Sequence, residues 1–280
     1  MAETPTPWKV VPDFPTREVV YEKRRYENGS VARLTFNRPE RLNAVTRIGM
    51  EEVCAALYDC STDEDVGVVV LTGSGEKAFC AGGDVEWEAA GGLKTHLSAP
   101  ASINGALLDC SKPSIAAVKG YAIGAGNHWA YYCDLTVAAD NAVFGQNGPR
   151  IGSPADGLLS SYLTRVVGAK KAKEIWFLCH QYTAQEALAM GLVNRVVPVA
   201  QLDAEVEKWC LEILDMSPSI LKMLKASFSH DIEYMRGTQG RFQRLIAPQW
   251  FESDEIKEAQ KSWFEKRKPR FGQFRQRRQS

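Results

Sequence analysis

The chain has 280 residues, 45% hydrophobic and 24% charged, enough to bury a sizeable core as one large domain or two small ones. Lysine plus arginine equals aspartate plus glutamate at 34 each, so no overall field selects for nucleic acid. The seven scattered cysteines form no CxxC pair, the histidines have no paired spacing, and no apolar run approaches ~18 residues. Those features argue against a disulfide framework, a metal site and a membrane span. With no apolar leader at the N-terminus, they set the expectation of a cytoplasmic protein.

In chain order, residues 1–17 are punctuated by Pro5, Pro7, Pro12 and Pro15 and read as a poorly ordered arm or a clamp on a neighbour. Val19 to Tyr26 and Val31 to Phe36 read as strands joined at Asn28-Gly29, a hairpin signal. Met50, Val53, Cys54 and Leu57 have the spacing of one buried helical face. The apolar run from Val66 to Thr72 reads as a strand covered on both sides. Residues 85–104 lack periodicity and read as a long functional loop. A helix over Ile103 to Cys110 and a strand over Ile115 to Val118 follow. Alternation of this kind predicts βαβ units and a largely parallel sheet.

Beyond Gly157 the chain reads as helical. A helix over Ala169 to Cys179 precedes a capping box at Thr183-Ala184-Gln185-Glu186, and Gly191 stops the next helix. Val193 to Pro198 reads as a short strand, and Leu202 to Ile213 as an amphipathic helix. Ser217-Pro218 opens another helix through Phe228, and Arg241 to Phe251 and Glu255 to Arg267 complete the set. The last 80 residues carry many apolar side chains, which suits a surface covered by another subunit.

Two small-residue turns stand out. Gly124-Ala125-Gly126 opens a short helix, and Cys80-Ala81-Gly82-Gly83-Asp84 ends a short apolar strand. A turn at a helix start leaves backbone N–H groups free for an anion. Two such turns aimed at one carbonyl oxygen would make an oxyanion hole.

Taken together and in order, Asn37-Arg38-Pro39 with Asn43-Ala44, the segment Ala78 to Asp84, Lys112-Pro113, Gly120 to Gly126, Cys133-Asp134-Leu135, Phe144-Gly145-Gln146 and Ala189 to Val193 resemble the crotonase (enoyl-CoA hydratase/isomerase) superfamily. The resemblance runs from about Val19 to Phe274. Within the superfamily, the chain looks most like 1,4-dihydroxy-2-naphthoyl-CoA synthases and the ring-opening 2-oxocyclohexane-carboxyl-CoA hydrolases. It implies an α/β fold with a ββα spiral core over 19–200, an N-terminal arm over 1–18, and a helical C-terminal trimerisation region over 201–280. Trimers or hexamers are the implied assemblies, and a small-molecule coenzyme A thioester is the implied partner, with neither nucleic acid nor membrane.

The same resemblance makes the Gly83 and Ala125 N–H groups the donors to the thioester oxygen. His128 and Gly148 stand where hydratases carry their two glutamates, so the usual water-activating pair is missing. His128 is then a candidate proton carrier. Gln146, Gly148 and Trp176 match positions that hold a bicarbonate in one class of naphthoyl-CoA synthases, and Ser153 matches a substrate-binding serine. The aspartate of those synthases falls on Ala155, with Asp156 one place later, and their tyrosine falls on Phe251. Glu86 and Glu88 follow the first turn and are further acid–base candidates. Ala81 and Asp84 are implied substrate contacts. Trp263 and Lys266 are implied contacts to the nucleotide of coenzyme A, reached from a neighbouring subunit. The resulting expectation is a carbon–carbon bond hydrolase acting on an alicyclic β-oxoacyl-CoA. A hydratase or naphthoyl-CoA synthase-like lyase and a non-enzymatic RNA-binding oligomer are the alternatives.

Overall fold

The computed structural model describes residues 5–92, 94 and 102–275. Strands β1 (Lys9–Val10), β2 (Val19–Tyr26) and β3 (Gly29–Phe36) form an antiparallel ribbon. The hairpin turn is Glu27-Asn28, one residue earlier than Asn-Gly predicts, because Gly29 pairs with Tyr26. Residues 5–18 are not a loose arm: β1 pairs with β2, and the Trp8 ring packs 4.0 Å from the Arg33 guanidinium.

A helix over Arg47–Thr62 buries Met50, Val53 and Leu57 as its spacing predicts, and leads to β4 (Val66–Gly73) and β5 (Ala78–Cys80). Next come β6 (Ser114–Val118), β7 (Tyr121–Ile123), the Ala125–Tyr132 helix, β8 (Leu135–Ala139) and β9 (Val143–Gly145). Strands β10 (Gln181–Thr183) and β11 (Arg195–Val197) close the list. One sheet has the order β1-β2-β3-β4-β6-β8-β11, parallel from β3 onward. A second, β10-β9-β7-β5, is parallel except for β10. From β4 to β9 successive strands alternate between the two sheets, so the chain winds as a spiral. This is the α/β spiral architecture with a helical C-terminal region that the motifs imply.

Two apolar cores result. The larger contains Tyr21, Phe36, Phe79, Trp129, Tyr132 and Phe144 and lies between the sheets and the helices. The smaller covers the other face of the seven-stranded sheet, where Leu202, Val206, Cys210 and Leu214 of the Leu202–Leu214 helix meet Val68, Val70, Ile115 and Val137. That helix is a layer of the fold, although it lies beyond residue 200.

The capping box at Thr183 forms as read, with both reciprocal hydrogen bonds. β10 is a strand that the helical reading passes over; three residues are too short for a period to show. The helix expected over Arg241 to Phe251 breaks into Arg241–Ile246 and a 3₁₀ turn at Trp250–Glu252, with Pro248 between them. The stretch after Asp84 opens with a helical turn, Val85–Trp87, and a wider turn over Glu88–Gly92. The rest of the loop read over 85–104 falls partly outside the described residues. Buried Lys225 ties the Pro218–His230 helix to the core through Asp134 at 2.7 Å and the Lys112 carbonyl at 2.8 Å. The same helix exposes Ile220, Met223, Leu224 and Phe228. Among the described residues no helix is long and apolar enough to cross a membrane.

Candidate active site

The Asn37-Arg38-Pro39…Asn43-Ala44 stretch acts as a brace for the first turn. Asn43 is buried in the left-handed conformation that asparagine tolerates, at φ 56°, and donates to the Ala78 carbonyl at 2.8 Å and the Ser74 carbonyl at 2.9 Å. Ala81 N–H donates to the Leu42 carbonyl, Val45 N–H to the Gly82 carbonyl and Asp84 N–H to the Val45 carbonyl. The N–H of Gly83, between them, has no protein acceptor among the described residues.

The second turn packs directly on the first. Gly124 adopts φ 60°, ψ −120°, a conformation open to glycine, and starts the Ala125–Tyr132 helix. Ala125 is its first residue, so its N–H has no partner within the helix. A Cβ on Gly82 would lie 3.3 Å from the Ala125 nitrogen, and one on Gly126 would lie 2.0 Å from the Cys80 carbonyl oxygen. Only glycine permits that approach. Two unpartnered main-chain donors therefore sit on adjacent turns, at the wall of a cavity of about 490 Å³ that both Gly83 and Ala125 line.

His128 stands one turn into that helix, buried, with its ring 5.4 Å from Trp176. Burial pushes its pKa down to about 4, against a smaller upward pull from the neighbouring Gln146 side chain, so the imidazole is neutral near pH 7. His128 Nε2, Gln146 Nε2 and Trp176 Nε1 are all buried without a hydrogen-bond partner among the described residues, and all three side chains line the cavity. Buried polar atoms are rarely left so, and three along one cavity suit a bound water or a polar group of a ligand. A Cβ on Gly148 would lie 2.6 Å from the Ser153 carbonyl oxygen and 3.5 Å from the Trp176 ring. A glutamate therefore does not fit at 148 without displacing backbone. Ser153 lines the same wall, and its hydroxyl makes no hydrogen bond among the described residues.

The carboxylates divide differently from the sequence reading. Glu86 is exposed and ion-paired with Arg41 at 2.6 Å. Glu88 is the cavity carboxyl that lies against the first turn: a Cβ on Gly83 would fall 2.1 Å from its Oε1. Burial, with a smaller contribution from Asp84, raises the Glu88 pKa to about 7. The helical turn at Val85–Trp87 carries Glu86 and is capped by Glu88, and no sequence period announces a turn that short.

Asp156 is not available to the site. Its carboxylate accepts from Gly240 N–H at 2.5 Å and Gln243 N–H at 2.6 Å, and it borders a neighbouring groove. Asp84 borders the cavity with its oxygens occupied, capping the Glu86 and Trp87 N–H groups and pairing with Arg38 at 3.1 Å. Burial would raise its pKa, but the Trp87 N–H, Arg38 and Arg41 outweigh that and hold it below the usual range. Phe251 lines neither the cavity nor the groove. Trp263, Phe264 and Lys266 border the cavity of their own chain; no neighbouring subunit is needed to bring them there. The Asp254–Phe264 helix reaches that position by packing Ile256 and Ala259 on Gly152, where a Cβ would meet Ala259 at 2.9 Å. Asn104, buried with an Oδ1 that has no hydrogen-bond partner among the described residues, also lines the cavity and carries no signal in the sequence.

Residues 26–276 match the sequence profile of the enoyl-CoA hydratase/isomerase family. The chain belongs to that family. Methylmalonyl-CoA decarboxylase, solved with 2-nitronate-propionyl-CoA, is 26% identical over 92% of this chain and 99% of its own, with a TM-score of 0.80. An enoyl-CoA hydratase/carnitine racemase from Magnetospirillum magneticum is 27% identical over 91% and 95%, with a TM-score of 0.72. An enoyl-CoA hydratase from Geobacillus kaustophilus HTA426 is 31% identical over 91% and 99%, with a TM-score of 0.68. An enoyl-CoA hydratase/isomerase family member processes an acyl-CoA thioester, and the paired Gly83 and Ala125 donors suit the oxygen of one.

The neutral state of His128 has a measurable consequence. Its depressed pKa favours the fold fully above the unfolded value near 6.5, and that contribution disappears as the pH falls through about 4. At pH 4 the loss amounts to about 3 kcal/mol. Glu88 acts with the opposite sign, favouring the fold at low pH and losing that contribution as the pH rises through about 7. Urea unfolding at neutral and acidic pH should therefore show His128→Gln losing less stability on acidification than the wild type, and Glu88→Gln losing more.

Proposed function

We propose that this acyl-CoA enzyme hydrolyses a carbon–carbon bond in an alicyclic β-oxoacyl-CoA, opening the ring. The observation that carries the reading is the combination of two unpartnered N–H donors with the three unpartnered nitrogens of His128, Gln146 and Trp176 lining the same cavity. The thioester oxygen accepts from Gly83 and Ala125. Water, oriented by the neutral His128 imidazole, adds to the ring ketone, and the oxygen that gains charge accepts from Gln146 Nε2 and Trp176 Nε1. The bond from that carbon to the α-carbon breaks, its electron pair moves into the thioester enolate, and the α-carbon then takes a proton. One water is consumed and a carboxylic acid is released at the far end of an acyl-CoA.

The same donor pair fits a bicarbonate, which when bound there would be held by Gln146 and Trp176 and would supply a base. The reading above needs only the ketone oxygen in that place. Likeness to methylmalonyl-CoA decarboxylase favours a second reading, loss of carbon dioxide from a malonyl-type thioester through the same enolate. The exposed apolar face of the Pro218–His230 helix supports assembly into trimers or hexamers. Incubation with 2-oxocyclohexanecarboxyl-CoA and mass spectrometry tests the first reading, which expects a product heavier by one water. Unchanged substrate overturns it, and release of carbon dioxide from methylmalonyl-CoA would replace it with the second.

A further inference from the structure

We propose that Glu88 is the catalytic acid–base group of this site, exchanging a proton with the substrate α-carbon. The inference rests on the oxyanion-hole part of the reading above and is independent of ring opening. Three observations meet at this side chain. Oε1 of Glu88 lies against Gly83, where a Cβ would be only 2.1 Å away, so the carboxyl adjoins one of the two donors that hold the thioester oxygen. A thioester oxygen bound at Gly83 and Ala125 puts its α-carbon two bonds further on, within the reach of a carboxyl at that wall. Among the described residues the Glu88 carboxyl makes no hydrogen bond and no ion pair, whereas Glu86, two residues earlier, is ion-paired with Arg41. Finally, the Val85–Trp87 turn, capped by Asp84, sets Glu88 against Gly83 and leaves Glu86 exposed on Arg41.

The charged and titratable side chains around the same cavity are Glu40, Arg41, Asp84, Glu86, His128 and Lys266. Of these, Asp84 acts on Glu88, and its negative charge works with burial to keep the carboxyl protonated up to about pH 7. A group of that kind suits proton transfer at neutral pH. In the protonated state Glu88 delivers its proton to the enolate α-carbon and becomes a carboxylate. In the ionised state it removes the α-proton and leaves the electron pair in the enolate, the same step reversed. The acid–base function absent from positions 128 and 148 has moved to the opposite turn.

Cyclohexanecarboxyl-CoA tests this without ring opening, because it carries an α-hydrogen and no ring ketone. In D₂O the wild-type enzyme should exchange that hydrogen at a rate that rises as the pH passes about 7 and then levels. Glu88→Gln keeps the shape of the side chain and should slow exchange by about 100-fold or more, with affinity for the thioester unchanged and no pH dependence left near 7. Equal exchange in wild type and Glu88→Gln overturns the assignment, as does absence of exchange in the wild type. The infrared difference between the ligand-free wild type and Glu88→Gln supplies a second check. A carboxyl band titrating near pH 7 supports the assignment, and one that titrates below pH 5 overturns it. Exchange with this probe alongside unchanged 2-oxocyclohexanecarboxyl-CoA leaves Glu88 in place and removes the hydrolase reading.

Discussion

Ala125→Pro is expected to lower turnover by about 100- to 1000-fold while the protein stays folded. Proline is tolerated at the first position of a helix, where its fixed φ suits the turn and no intrahelical hydrogen bond is lost. The residue before it is Gly124, which has no side chain to collide with the proline ring. What disappears is an N–H at the cavity wall, the donor proposed for the thioester oxygen, and a ring carbon stands in its place. Ala125→Gly keeps the N–H and should stay within a few-fold of wild type. Steady-state turnover of a responsive thioester, alongside circular dichroism and thermal melting, checks both variants. Full activity in Ala125→Pro would remove Ala125 from the oxyanion hole.

Gly126→Ala carries a large expected structural effect for a single methyl group at the site. Its Cβ would lie 2.0 Å from the Cys80 carbonyl oxygen and 2.8 Å from the Cys80 carbonyl carbon, so backbone must move on one side or the other. Overpacking of that kind costs about 3 kcal/mol. The movement also separates the two turns, and with them the Gly83 and Ala125 donors. Denaturant midpoints should fall while the slope of the transition stays constant, and activity should drop well beyond that of Ala125→Gly. A stability loss below about 1 kcal/mol with wild-type turnover would show that the turns are not held in contact as described.

Much of the fold was legible because its signals are local. The buried face at Met50, Val53 and Leu57, the apolar run at β4 and the capping box at Thr183 all follow from period and composition over a few residues. The elements that escaped are those with no room for a period, such as β10, or with an internal interruption, such as the Pro248 break. Asp156 and Phe251 show a different failure. Motif matching puts both near the site, but Asp156 is engaged by the Gly240 and Gln243 N–H groups, and Phe251 does not line the cavity. No sequence signal tells a carboxylate that caps a distant backbone from one that faces a substrate.

By itself, the sequence determined the family pattern, the two glycine turns and the loss of both hydratase glutamates. Those properties depend on residue identity: a missing carboxylate is missing in any fold, and a backbone donor needs only a small residue. Tertiary structure alone decided which polar groups face the cavity. It turned Glu88 inward and Glu86 toward Arg41, left three nitrogens of His128, Gln146 and Trp176 unpartnered in one wall, and brought the chain's own C-terminal helix to the cavity mouth. The physical reason is that desolvation and pairing depend on what packs around a side chain, and that is set by segments distant in the sequence.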